Sequence, residues 1–248
     1  MSHRDQLIHD YARHYARVNE FVDPSVMSTR DLATMTLNYG FLLEPLRAGS
    51  KVLDVGCGTG ILLRWLSEHG NVVPVGVDLS PTMVGFARSK LPGIEIACAD
   101  ALDFLRANEK TFDGIFCTDL LEHIPGVEEC IAVAEAARAA LRPGGFLYCR
   151  SPNAGSLTGS YGRYMDLTHE RAFTSTSMLQ LLDAAGFEKA RVVPIRAPHA
   201  GGRARLAVEA ALHRVVFRIC GRGMERVFTS NVCAVGFAPT GPNAGVGS

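Results

Sequence analysis

Two sets of residues in this sequence have types and spacings suited to chemistry. The first is the stretch VLDVGCGTG, residues 52–60, in which an apolar run opens into Gly56, Cys57, Gly58, Thr59 and Gly60. Glycines let the backbone turn tightly and approach a ligand closely. A helix beginning behind them would offer unpaired N–H groups to an anion. Asp78 closes the next apolar run, 22 residues after Gly56, where a carboxylate can accept from two ribose hydroxyls; Asp100 closes the third run. The GxGxG spacing departs from the GxGxxG of dinucleotide sites, although a dinucleotide fold or a ligand-free turn would also use glycines. The second set is Asp119, Glu122 and His123, followed later by Asp166 and His169. On a helical turn, positions i, i+3 and i+4 share a face, so two carboxylates and an imidazole would converge. Such groups transfer protons or ligate a divalent cation.

These residues need a frame. Short apolar runs at 51–55, 72–78, 94–98, 112–118 and 145–150 alternate with helical patterns at 61–69, 81–90, 101–107 and 127–141. Strands alternating with helices predict right-handed crossovers and a doubly wound, mostly parallel α/β sheet. A further helix is expected over 176–185, closed by Gly186, with Thr174 as its N-cap, and further strands over 187–195 and 231–238. Ahead of the sheet, Leu7, Ile8, Tyr11, Tyr15 and Val18 recur at helical spacing, and a second helix is expected over 29–46. Residues 1–50 thus read as an N-terminal helical cap on a domain spanning 51–238. The Gly- and Pro-containing stretch 239–248 reads as a flexible tail.

Composition limits the function classes. The 248 residues carry 25 Lys plus Arg and 25 Asp plus Glu, a formal net charge of zero. That balance argues against a nucleic-acid partner, which a basic surface would attract. With 47% hydrophobic residues the chain can bury a sizeable core. No apolar run reaches the ~18 residues of a membrane span, and residues 1–10 lack an apolar signal core, so a cytoplasmic protein is expected. Seven scattered cysteines without a CxxC read as reduced core residues. Charge is uneven only at 196–228, where seven Arg face two Glu. There Val208, Leu212, Val215, Val216 and Ile219 form an apolar stripe. This basic amphipathic insertion could lie on the inner face of a membrane as a peripheral contact, or pack as a lid or homodimer helix.

The succession VLDVGCGTG, GVDLSP, ADALDF, FDGIFCTDLLEHI and LRPGGFLYC resembles the class I S-adenosylmethionine-dependent methyltransferases, closely over 51–149 and more loosely to residue 237. The resemblance implies a Rossmann-like sheet of seven strands, the last antiparallel, and S-adenosylmethionine as cofactor. It implies that Gly56, Cys57, Gly58 and Gly60 wrap the methionine and ribose portion, with Asp54 steadying that loop or the cofactor ammonium. Asp78 would take the ribose hydroxyls and Leu79 would lie against the adenine. Asp100 would accept from the adenine amino group beside Ala101, and Thr118 and Asp119 would face the methionine end.

The LEH turn together with Asp166-Leu-Thr-His169-Glu-Arg-Ala-Phe-Thr resembles two metal-dependent O-methyltransferase groups, acting on small-RNA 3′ ends and in the ubiquinone pathway. This implies Glu122, His123 and His169 as ligands to Mg or Mn, with Asp119 replacing the family's Glu one methylene short. The other reading is metal-free, with Asp166 and His169 as base and acceptor clamp and His123 or His169 as general base. A softer resemblance to bacterial enzymes of surface-glycan and glycolipid synthesis favours a sugar hydroxyl as acceptor. A small phenolic or quinone-precursor acceptor is the alternative. A non-catalytic, cofactor-binding regulatory protein is the alternative of another class.

Overall fold

The computed structural model describes Leu7 and residues 22–69, 71–221 and 227–241. Most of the helix expected over the first twenty residues, and most of the expected tail, lie outside these. The second helix is α1 (Thr29–Leu43), started by a capping box in which Ser28 and Asp31 exchange side-chain and backbone hydrogen bonds. Then β1 (Lys51–Val55), α2 (Ile61–Glu68), β2 (Val73–Asp78), α3 (Pro81–Lys90), β3 (Glu95–Cys98) and α4 (Ala101–Ala107) alternate. They are followed by β4 (Phe112–Thr118), a 3-10 turn (Leu121–His123), α5 (Val127–Ala140) and β5 (Leu141–Pro152). A short α6 (Gly159–Tyr164), α7 (Ser175–Ala184), β6 (Glu188–Val192), α8 (Ala200–Ile219) and β7 (Asn231–Phe237) complete the described chain.

The seven strands form one sheet in the order β3-β2-β1-β4-β5-β7-β6. The first five run parallel, and β7 inserts antiparallel between β5 and β6. The expected doubly wound sheet with an antiparallel last strand is therefore present. One difference is β5, which starts at Leu141 rather than 145: Leu141 pairs with Phe112 before the register slips to Phe146 opposite Gly114.

Alternate strand residues feed two cores, as the two-residue period of a strand requires. Val52, Phe116, Phe146 and Tyr148 pack against Tyr39 and Leu42 of α1 and Trp65 of α2. Leu53, Ile115, Leu147 and Cys149 pack on the other side against Val133 and Ala137 of α5 and Met178 and Leu182 of α7. Tyr39 meets Trp65, Phe116 and Tyr148 edge to face at 5.2–5.8 Å, so α1 is fastened directly over the sheet.

Candidate active site

The crossovers from β1 and β4 leave in opposite directions along the sheet order. That creates the switch point at which open α/β sheets bind ligands beyond their carboxyl ends. A cleft of about 1160 Å³ lies there, floored by the ends of β1, β2 and β4 and walled by α1 and the 22–27 segment.

The glycine loop is pinned from below. Gly56 and Cys57 both donate their amides to the Val77 carbonyl, at 2.8 and 3.1 Å. Gly56, Gly58 and Gly60 all have positive φ, and Gly60 caps the start of α2. A Cβ at Gly60 would stand 2.7 Å from Leu91 Cδ1. At Gly58 nothing would meet a Cβ within 4 Å, so the loop leaves space on the cleft side.

Asp78 ties loop to strand. Its Oδ2 accepts from Gly58 N–H at 2.9 Å and its Oδ1 from Ser80 N–H at 2.8 Å. Burial pushes its pKa up, and these two amides pull it back. Each oxygen keeps lone-pair capacity for a ligand hydroxyl.

Asp54 is buried at the cleft wall, and its Oδ1 has no hydrogen-bond partner among the described residues. Burial, then repulsion from Asp78, pushes its pKa up to about 8. A cationic group placed beside that oxygen would satisfy it. Leu79 lines the cleft yet is 51% exposed, an apolar face open to a flat ring. Asp100 lines it beside Ala101, but its Oδ1 already caps α4 by accepting from Leu102 and Asp103 amides. Cys57 and Thr118 also line the cleft. The Cys57 thiol is held protonated by burial.

Asp119 departs from the shared helical face expected for residues 119, 122 and 123. Only Leu121–His123 form a helical turn, a 3-10 one, and Asp119 precedes it with φ +55°. Its carboxylate is engaged by Arg150, through Nε at 3.0 Å and through Nη2. Arg150 also donates to the Tyr39 hydroxyl at 3.1 Å. Asp119 still lines the cleft, but it is not among the residues whose ligand atoms converge, and its carboxylate is already engaged by Arg150. Arg150 and Tyr39 line the same cleft and were missed, because each falls within an apolar pattern that reads as core.

Glu122, His123 and His169 do come together. One ligand atom from each lies within 4.8 Å of the others, and the two imidazoles stand 4.7 Å apart, edge to face. The Glu122 carbonyl accepts from Glu170 N–H at 2.6 Å, which draws the 166–170 loop onto the 3-10 turn. His123 lines the cleft, and the other two stand behind it. Glu122 Oε2 accepts from Ser151 Oγ at 3.0 Å. Burial, then the Asp119 charge, pushes Glu122 up to about 8.

The hydrogen bonds assign the imidazole tautomers. Thr168 Oγ1 donates to Asp166 Oδ1 at 2.7 Å, so toward His123 Nδ1, 2.8 Å away, it accepts. His169 Nδ1 donates to the Gly162 carbonyl at 2.9 Å. Both rings therefore carry a lone pair on Nε2, the arrangement in which an oxygen accepting from the other ring nitrogen orients a metal-binding histidine. Burial, then repulsion from His169, lowers His123 to about 4, below the ordinary histidine range expected for a plain base. Asp166, paired with His169 in the metal-free reading, accepts from the Thr168 amide and hydroxyl and so reaches His123 through Thr168.

A family model described as a methyltransferase domain matches residues 28–192. The ubiquinone biosynthesis O-methyltransferase of Coxiella burnetii (strain RSA 493 / Nine Mile phase I) is 36% identical over 109 residues, 42% of this chain and 44% of that protein. The protein of the same name from Xanthomonas campestris pv. campestris (strain B100) is 29% identical over 161 residues, 56% of this chain and 66% of that protein. The chain spans less than half the length of the Coxiella relatives it matches. Among solved structures, an S-adenosylmethionine-dependent methyltransferase from Archaeoglobus fulgidus superposes with a TM-score of 0.64 at 18% identity, covering 92% of this chain and 99% of that one. Phosphoethanolamine N-methyltransferase 2 of Haemonchus contortus, in complex with S-adenosyl-L-methionine, gives 0.64 at 19%, covering 96% and 60%. Sheet order, glycine loop and family match together make this chain a member of the methyltransferase domain family, a class I S-adenosylmethionine-dependent methyltransferase.

Proposed function

We propose that this enzyme methylates a hydroxyl of a small phenolic or quinone-precursor acceptor. Glu122, His123 and His169 would hold a divalent cation, Mg or Mn, beside that hydroxyl. The observation that carries the reading is the convergence of these three side chains at the wall of the cofactor cleft, with both Nε2 lone pairs set by hydrogen bonds. The relatives named for ubiquinone biosynthesis support the phenolic acceptor over the sugar hydroxyl favoured from sequence. The catalytic family supports an enzyme over a regulatory binder.

S-Adenosylmethionine supplies the methyl group on an activated sulfonium. Asp78 would accept from the ribose hydroxyls, Leu79 would cover the adenine, and Asp54 would pair with the ammonium that its buried, unpartnered oxygen calls for. Gly58 leaves the space that the ribose needs. Asp100, with one oxygen spent on its helix cap, would use the other for the adenine amino group.

On the acceptor side, His123 titrates at about 4 and is neutral at pH 7. A base that weak takes a proton poorly from a phenol at about 10, so its lone pair suits ligation better than general-base work. A divalent cation at this set would lower the pKa of a bound hydroxyl. Both imidazoles suit Mn, and the buried carboxylate suits Mg or Mn.

The test is transfer of labelled methyl to a soluble catechol. Turnover is expected with added Mg or Mn and not with chelator. Equal turnover in chelator would remove the cation from the reading. Transfer to sugars but not to phenols would return the acceptor to the glycan class.

A further inference from the structure

The helix α8 is docked on the domain by one face and leaves another bare. His213 is its buried centre: Nδ1 donates to the Glu209 carbonyl, so Nε2 accepts from the Leu157 amide at 2.7 Å, and the ring stacks on Phe228 at 5.0 Å. Phe217 meets Phe228 edge-on beside it. The stripe Val208, Leu212, Val215 and Ile219, at spacings of four, three and four, points elsewhere. These residues are 60%, 58%, 57% and 79% exposed. The stripe thus stands off the domain, its fifth residue Val216 being 37% exposed, and a polar histidine takes the inner place.

Charge says what would cover the stripe. Within α8 stand Arg203, Arg205, Arg214 and Arg218 against the single acid Glu209. Residues 196–228 carry a net +5 in a chain that is neutral overall, so the other residues carry five compensating negatives. Within α8 itself four arginines against one glutamate leave a net +3. A second copy paired through the same face would bring like charges together, and the aliphatic stripe has no aromatic ring on which a nucleic-acid base could stack. An anionic lipid surface satisfies both features, taking the aliphatic side chains at the acyl boundary and the guanidinium groups among phosphates.

We infer that α8 is an in-plane anchor that docks this enzyme on anionic bilayers, with Val208, Leu212, Val215 and Ile219 entering the interface and the arginines beside them pairing with lipid phosphates. No described residue of α8 lines the cofactor cleft, so docking and cofactor binding are separable.

The test is flotation of the full chain with vesicles of equal phosphatidylglycerol and phosphatidylcholine, against phosphatidylcholine alone, at low and high salt. The wild type is expected to float with the anionic vesicles only, and less as salt rises. Val215→Asp with Ile219→Asp, and separately Arg214→Glu with Arg218→Glu, should each weaken partitioning by about tenfold or more. Both should keep the wild-type affinity for S-adenosylmethionine, which verifies their fold. The inference is overturned if the wild type stays unbound at low salt, if it floats equally with neutral vesicles, or if the variants float as it does. It is also overturned if light scattering shows a dimer that the Val215→Asp, Ile219→Asp variant dissolves, since the stripe would then be covered by a second copy.

Discussion

Asp54 sets the clearest pH dependence at the level of single residues. Its carboxyl titrates at about 8 in the folded chain, against roughly 3.9 when unfolded. Between those values the native state holds a proton that the unfolded chain has released, so stability falls as pH rises through the window. The contribution is fully present below about 4 and lost above about 8. Glu122, also near 8, acts in the same direction. Thermal melts of the ligand-free protein should therefore decline from mildly acidic pH toward pH 8, and Asp54→Asn should flatten only part of that slope. A cationic ligand group beside Asp54 favours its ionised form. Binding of S-adenosylmethionine at pH 7 should then release protons, measurable by calorimetry in buffers of different ionisation enthalpy, and Asp54→Asn should reduce the release. An unchanged proton count in that variant would take Asp54 out of ammonium binding. Asp78→Ala should cost about 1–3 kcal/mol of cofactor affinity, about tenfold or more, by removing the partner of two hydroxyls and of the Gly58 amide. A titration that gives the wild-type affinity would exclude that role.

Local signals carry far at the level of elements, and their failures share a cause. Phe112–Thr118, Pro81–Lys90 and Ala101–Ala107 are found at the expected bounds because Pro81 opens one helix, the Asp100 cap opens another, and an unbroken apolar run defines the strand. Thr174 caps α7 as expected, in a capping box with Ser177. The glycine loop with Asp78 was legible for the same reason: strand, turn and helix follow one another in sequence. The 119–123 segment was not. Its spacing suits a helix, but the backbone turns left-handed at Asp119, whose carboxylate is held by Arg150, 31 residues later on β5. The role of Thr168 was equally hidden, since it depends on a contact 45 residues away. Thr168 should position rather than react. Thr168→Val would remove the acceptor that holds His123 Nδ1, lowering kcat by about 10–100-fold while cofactor affinity stays constant. Thr168→Ser should restore most of it, and a Val variant with normal kcat would show that the ring needs no such hold. Gly60→Ala tests the cofactor loop as a unit. Positive φ and the 2.7 Å approach of Leu91 should destabilise the domain by about 1–3 kcal/mol, visible as a lower denaturation midpoint.

At the scale of the whole molecule, the residues proposed for the cofactor and those proposed for the acceptor come from different elements, and linkage can separate their roles. The proposed cofactor residues Asp54, Gly58, Asp78 and Leu79 come from β1, β2 and the turns that follow them. The Glu122, His123 and His169 set comes from the 3-10 turn and the 166–170 loop, beyond β4 and β5. A ligand that binds only the native state stabilises it by RT ln(1 + [L]/Kd), about 2.7 kcal/mol at a hundredfold excess over Kd. His169 stands behind the cleft wall and touches none of the cofactor residues through any described hydrogen bond. His169→Ala should therefore keep the full stabilisation by S-adenosylmethionine in a thermal melt while turnover with a catechol is abolished. Asp78→Ala should show the reverse order of losses, with the ligand-induced stabilisation falling first and turnover recovering at high cofactor concentration. If His169→Ala lost both together, the histidine would be holding the cleft in shape rather than serving the acceptor. If it lost neither, His123 and Glu122 would be left without their third partner and the cation reading would fall with it.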